Sequence, residues 1–297
     1  MTDESGDPFG GTRMTLGEHL QELRVRLWRG VVAVAVAFVL AWIFQDHIRD
    51  AAIWPYERAM DMLEVHYRDE ALAKLAADPS LQRTEYFITA DPSDLRLRNF
   101  DQGFRWIRPT EPFVFLLKLC FYAALIVGGP ILLWQMWGFV AAGLYKRERR
   151  LLFSYFPYSV FAFAVGVAFG YSLVLPYGLY FLNILVPIEI GRPAITLDSY
   201  TGFLASLCVA FGFVFQLPLV MTFAARTGLV TPTWMAKHRG HFVVVSFIIA
   251  AILTPTPDAY TQCMMAIPLC LLYELGIWTS RAAARRRVAQ EARPSSA

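Results

Sequence analysis

A series of long apolar runs constrains this chain more than any other feature. Residues from about 30 to 48, 112 to 144, 151 to 175 and 200 to 225 are each rich enough in Leu, Ile, Val, Phe and Ala to cross a hydrocarbon layer, for which about 20 residues of helix suffice. Backbone inside hydrocarbon must satisfy its own N–H and C=O groups, so the runs read as helices. Two later runs, Phe242–Leu253 and Cys263–Trp278, are shorter than a usual span. The chain is 56% hydrophobic and 17% charged, whereas a soluble domain is about a quarter charged. The expectation is an all-α polytopic membrane protein with six transmembrane helices, the last two short. The alternative for the last two is a re-entrant pair that never crosses.

The basic residues of the short connections set the orientation. Arg13, Arg24, Arg26 and Arg29, the turn Lys146-Arg147-Glu148-Arg149-Arg150, the group Arg226, Lys237 and Arg239, and the tail Arg281–Arg293 fall on one side; Arg192 stands alone on the other. Excess Lys and Arg mark the cytoplasmic side, which places both termini in the cytoplasm. Residues 1–13 read as a disordered tail, 14–281 as the membrane domain with a long external loop at about 51–110, and 282–297 as a basic cytoplasmic tail. Met1–Thr15 has no apolar core, so the first run reads as a retained anchor and not a cleaved signal.

Local signals refine this plan. Leu16, Leu20, Leu23 and Leu27 recur at helical spacing, which predicts an amphipathic helix over Met14–Arg29 lying along the membrane surface before the chain turns inward. Thr15 with Glu18 reads as its capping box. Trp54-Pro55 reads as a helix break, followed by a helix over Tyr56–Ala77 and a strand over Arg83–Thr89. Gly128-Gly129-Pro130 predicts a kink in the second run. Gly166 and Gly170 allow close helix approach. Pro176 is expected to close the third run, with a short helix at Tyr180–Leu185 after it. Arg226 and Gly228 stop the fourth.

No phosphate loop, zinc-protease, nucleophile-elbow or dinucleotide motif is present. The four cysteines lie in apolar runs without metal spacing, and the five histidines are scattered. The sequence therefore points to no enzyme and no cofactor. What stands out are polar groups in or beside apolar sequence, each a candidate site because burial without a partner is unfavourable. Glu148 sits among four cations. It is either a neutralised member of a solvated turn or a carboxylate held ready for a guanidinium, whose two prongs match its geometry. Phe139, nine residues earlier, would lie about 13 Å away along a continuous helix. Gln216 falls near mid-membrane, bonded either within the bundle or to another subunit's helix. Lys118 snorkels, Glu274 pairs with Arg281, and Asp258 caps the sixth helix.

Several stretches, in order from about residue 14 to 281, resemble the TatC family, the multispanning subunit of the twin-arginine protein translocase. They are His19-Leu-Gln-Glu-Leu-Arg-Val-Arg-Leu27, Trp54-Pro55, Glu111-Pro-Phe113, Gln135-Met-Trp-Gly-Phe139, Leu144-Tyr-Lys-Arg-Glu-Arg-Arg150, Phe211-Gly-Phe-Val-Phe-Gln-Leu-Pro218 and Leu253-Thr-Pro-Thr-Pro-Asp258. The resemblance implies a concave, glove-like six-helix bundle in the bacterial inner membrane. It implies a receptor for signal peptides with adjacent arginines on folded cargo, working with single-span partners of the TatA and TatB kind, oligomeric within the complex and driven by the proton-motive force. It assigns Glu148, Phe139, Leu23, Arg24 and Arg26 to signal-peptide binding, Gln216 to a partner-helix contact, and Pro55 and Asp258 to loops that matter for transport. Two departures stand out: position 216 is commonly Glu in the family, and the first external loop is several tens of residues longer than usual. A small-solute transporter using Gln216, Lys118 and Glu274, and a membrane assembly factor, are the competing readings.

Overall fold

The computed structural model describes residues 16–78, 80–98, 100, 103–144, 146–185, 195–253 and 259–291. Within its helices the side chains at 16, 18, 19, 146–148, 151 and 286–291 lie outside the description. The described residues are helical throughout apart from turns and two isolated β-bridges. The capping pair at Thr15 and Glu18, and the role of Asp258, fall outside it.

The first helix, α1, runs unbroken over Leu16–Ile43. The expected turn between a surface helix and the first span does not occur, because nothing between Arg29 and Gly30 interrupts the hydrogen-bond ladder. The second helix, α2, covers Gln45–Ala77 and carries Pro55 in its interior. Pro55 therefore lies in a helix and not in a loop, and the predicted break at Trp54-Pro55 is absent. Proline removes one donor and leaves carbonyls of the preceding turn short of a partner. Here the hydroxyl of Tyr171 donates to Ala51 O at 2.5 Å, and that of Tyr200 donates to Ala52 O. Two tyrosines from distant helices thus repair the ladder and pin α2 to the bundle. The predicted strand at Arg83–Thr89 is a short 3-10 turn, Arg83–Glu85, with a single antiparallel bridge between Phe87 and Leu97. Phe87 and Leu97 are buried in the same apolar cluster as Leu63, Tyr67 and Ala71 of α2.

Helices α3 (Glu111–Val127) and α4 (Gly129–Ala142) form one span bent by 52°. The bend falls at Gly128-Gly129-Pro130, as the sequence predicts. Helix α5 covers Lys146–Phe169, passes through a π turn at Gly170–Val174 and continues as α6, Leu175–Ile184. Pro176 does not close this span. It occupies the first turn of α6, where a missing N–H costs nothing because the π turn has already reset the ladder, so the expected separate helix at Tyr180–Leu185 is the end of a continuous 33-residue span.

Helices α7 (Leu197–Val214) and α8 (Leu217–Thr227) make the next span, ended by Gly228 at φ 84°. A short α9 (Pro232–Lys237) leads to α10, Arg239–Leu253, only 15 residues long, and α11, Ala259–Glu291. Of the two helices expected to be short, α10 is; α11 extends well past its apolar run into the basic sequence beyond Arg281. Counting the bent pair as one span and α10 as a short one, the chain carries six membrane helices.

Helix α7 is central. In its span 56% of the most apolar window is buried within the protein, against 17% for α1. The difference follows from glycine. A Cβ at Gly166 of α5 would collide with Phe211 O, and one at Gly170 would press on Leu207 O. The α5 and α7 backbones therefore touch, as small residues permit. The Phe163 ring fills the space over both Gly129 and Gly212, locking α4, α5 and α7 together. Helix α1 by contrast presents Val31, Val36, Val39, Leu40 and Ile43 outward, the surface of a peripheral lipid-facing helix.

Candidate functional site

The alternation of spans puts the start of α1, the α4–α5 turn, α9 and the far end of α11 on one face, called here the terminal face. Arg26 lies where α1 crosses α4. A Cβ on Gly138 would overlap its guanidinium, and Glu22, one turn back on α1, forms an ion pair with it. Both side chains are part-buried, so the pair fixes the crossing point more firmly than a solvated surface pair would.

From this crossing an apolar cleft of about 490 Å³ runs inward between α1, α3 and α4. Leu23, Arg26 and Phe139 line its mouth; Val34, Phe121 and Leu125 line its inner part. The 52° bend that carries α4 away from α3 keeps it open. Three of the residues expected in the signal-peptide site thus share one cleft. Arg24 is exposed on α1 and does not line it.

The α4–α5 turn stands on a rigid aromatic base. Trp134 packs on Phe153 and Phe156 with ring centroids 5.0 and 4.7 Å apart. Arg149 lies over Phe153, its guanidinium carbon 5.9 Å from the ring centre. Leu144 is packed against the cluster of Leu133, Trp137, Ala141 and Leu152. Phe139 and Glu148 do not sit on one continuous helix as expected: α4 ends at Ala142 with Gly143 as its cap, and α5 begins at Lys146. The 13 Å helical spacing therefore does not apply. Glu148 lies in the first turn of α5, where the helix dipole favours a negative charge.

Gln216 is 4% exposed and hydrogen-bonded inside the bundle. Its Nε2 donates to Ser159 O at 3.0 Å, and its Oε1 accepts from Ser159 Oγ at 2.5 Å. Trp137 Nε1 donates to the same Ser159 Oγ at 2.8 Å. Of the two readings of this amide, the structure shows the intrabundle one. Lys118 pairs with Asp198 at 2.5 Å on the opposite face. Glu274 pairs with Arg239 of α10 at 2.8 Å and not with Arg281, because α10 packs alongside it. Gln216, Lys118 and Glu274 have separate partners and form no shared polar path.

Glu22, Gln135 and Gly138 stand in the sequence only as members of the quoted family stretches, with no role of their own, and nothing marks Ser159. Gln135 lines the cleft with its Oε1 buried and without a hydrogen-bond partner. Its i, i+4 spacing from Phe139 was the available signal, since residues so spaced share a helix face. Nothing local singled out Ser159, whose role depends on two other helices. Among the described residues no group of three metal-ligating side chains occurs.

The fold and its cleft define a multispanning, all-α membrane protein with an apolar cleft open at its terminal face. Residues 18–268 match the family model described as Sec-independent protein translocase protein (TatC), and the chain belongs to that family. It is 34% identical to a TatC of Desulforapulum autotrophicum over 92% of this chain and 87% of that one. It is 30% identical to the TatC of Aquifex aeolicus over 92% and 98%. The crystal structure of a twin-arginine translocase receptor TatC superposes with a TM-score of 0.66 at 29% identity, covering 90% of this chain and all of that one.

Proposed function

We propose that this core translocase subunit binds the twin-arginine signal peptides of folded proteins at the terminal face, and that this face is cytoplasmic. Glu148 receives the paired guanidinium groups; Leu23, Arg24, Arg26 and Phe139 hold the flanking residues. The observation that carries the reading is the convergence of Leu23, Arg26 and Phe139 on one apolar cleft beside the turn that bears Glu148. Arg26 is already neutralised by Glu22, so it adds no unpaired cation at the mouth to repel an arginine-bearing ligand. The charge pattern of the connections supports the cytoplasmic assignment of both termini, in the bacterial inner membrane. Single-span partners of the TatA and TatB kind complete the export complex, powered by the proton-motive force. Gln216 is sealed against Ser159, so a partner helix meets it through the α7–α8 break that it stabilises.

Photo-crosslinking of the full chain to a twin-arginine signal peptide tests this. Phe139→Ala and Leu23→Asn are expected to lower labelling several-fold, while Leu173→Ala, an exposed apolar position elsewhere, leaves it unchanged. Equal labelling of all variants would refute the site.

A further inference from the structure

The stretch Arg105-Trp106-Ile107-Arg108 lies in the long external segment and is not part of the candidate site. Trp106 is 61% and Ile107 80% exposed, the latter the most exposed large apolar side chain among the described residues. Exposure of this kind usually marks a floppy loop, but here the backbone is held on both sides. Arg105 N donates to Ile195 O, and Leu197 N donates to Arg105 O, a parallel bridge to the N-cap of α7. Ile107 N donates to Glu111 Oε2 at 3.0 Å, in the first turn of α3. The segment is thus fastened to the first turns of two spanning helices, which fixes its height at the membrane boundary.

The neighbourhood continues the lipid-facing belt. Phe113, two residues into α3, is 61% exposed and meets Trp42 near the end of α1 with ring centroids 6.4 Å apart. Interfacial tryptophan with flanking arginines is the composition that seats in the headgroup layer, the ring at the acyl boundary and the guanidinium groups on phosphates. Both Arg105 and Arg108 are exposed.

We propose that residues 105–108 form a phospholipid-binding hook, with Trp106 and Ile107 in the acyl boundary and Arg105 and Arg108 on anionic headgroups. The hook clamps the long external segment, and α2 with it, onto the leaflet opposite the terminal face. The occupant is lipid because the patch is continuous with the lipid-facing ends of α1 and α3, and the Glu111 carboxylate beside it is engaged by Ile107 N.

The test uses the full-length protein in vesicles of zwitterionic lipid with or without anionic phospholipid. Tryptophan emission of the wild type minus that of Trp106→Phe isolates residue 106. The expected result is that this difference signal is quenched at least twofold more by lipids carrying a shallow nitroxide than by aqueous iodide. It is also expected that anionic lipid increases the nitroxide quenching in the wild type but not in Arg105→Gln/Arg108→Gln, whose backbone pins are intact. Preferential quenching by iodide would overturn the hook. Equal response of wild type and double variant to anionic lipid would overturn the headgroup contact. Unchanged helical circular dichroism confirms that each variant is folded.

Discussion

Ser159 accepts from Trp137, donates to Gln216 and takes the Gln216 amide on its backbone oxygen. One hydroxyl therefore holds α4, α5 and the α7–α8 break together in the buried interior. Removing it leaves a buried indole N–H and a buried amide oxygen unpaired, at about 1–3 kcal/mol. Ser159→Ala is expected to lower the thermal midpoint in detergent by several degrees, whereas Ser172→Ala, which only loses a bond to its own helix on an exposed face, shifts it little. Similar midpoints for both would remove the network from the account. Gln216→Leu is expected to behave like Ser159→Ala. A Gln216→Leu protein of native stability that no longer co-purifies with the proposed single-span partner would instead show that the amide serves such a partner directly.

Among the elements, α5 and α7 meet backbone to backbone at Gly166 and Gly170. Gly166→Ala places a methyl against the Phe211 carbonyl, and overpacking of that kind destabilises by about 1–3 kcal/mol. Gly202→Ala, with nothing within 4 Å of its Cβ, is expected to be neutral; thermal unfolding of the pair in detergent checks the contrast. The glycine spacing was legible in the sequence, as were the bend at Gly128-Gly129-Pro130 and the stop at Gly228, because each acts through its own backbone. The prolines were not. Pro55 and Pro176 read as stops, yet both sit within continuous helical stretches. What rescues Pro55 is a pair of hydroxyls from Tyr171 and Tyr200, more than a hundred residues away, and no local pattern reports that. The amphipathic Leu16–Leu27 was seen as a helix, but its direct continuation into the span was not, since a run of charges beside an apolar run looks the same whether or not the chain bends.

For the molecule as a whole, the segment after α2 joins the apolar core through Phe87 and Leu97, and side-chain hydrogen bonds shape its turns. Arg83 is bound by the carbonyls of Asp91, Pro92 and Asp94. Hydrogen bonds from Ser80, Ser93 and Arg96 hold the carboxyls of Asp78, Asp91 and Asp94 below the usual carboxylate range. A carboxyl with a lowered folded pKa stabilises above the ordinary value, about pH 4, and loses that contribution as pH falls through the folded value. Hydrogen exchange over residues 83–98, corrected for intrinsic rate, is therefore expected to be faster at pH 3 than at pH 6 relative to the buried part of α2; no difference would contradict the role of these turns.

The candidate site was half legible. Leu23, Arg26 and Phe139 are assigned together by the family resemblance and not by residue pattern, and in the structure they line one cleft. Glu22 and Gly138 carry no assigned role in the sequence because theirs comes from the crossing of α1 over α4, which only the fold displays. The claim on which the functional account rests is that the Glu148 carboxylate distinguishes arginine from lysine on an incoming peptide. The most direct measurement is the ratio of dissociation constants for a twin-arginine peptide and its twin-lysine counterpart, on the wild type and on Glu148→Gln. Loss of a bidentate charge-assisted pair corresponds to about tenfold or more in affinity. The wild type is predicted to prefer arginine by about that factor, and Glu148→Gln to bind both peptides equally weakly. An undiminished arginine preference in Glu148→Gln would contradict the account.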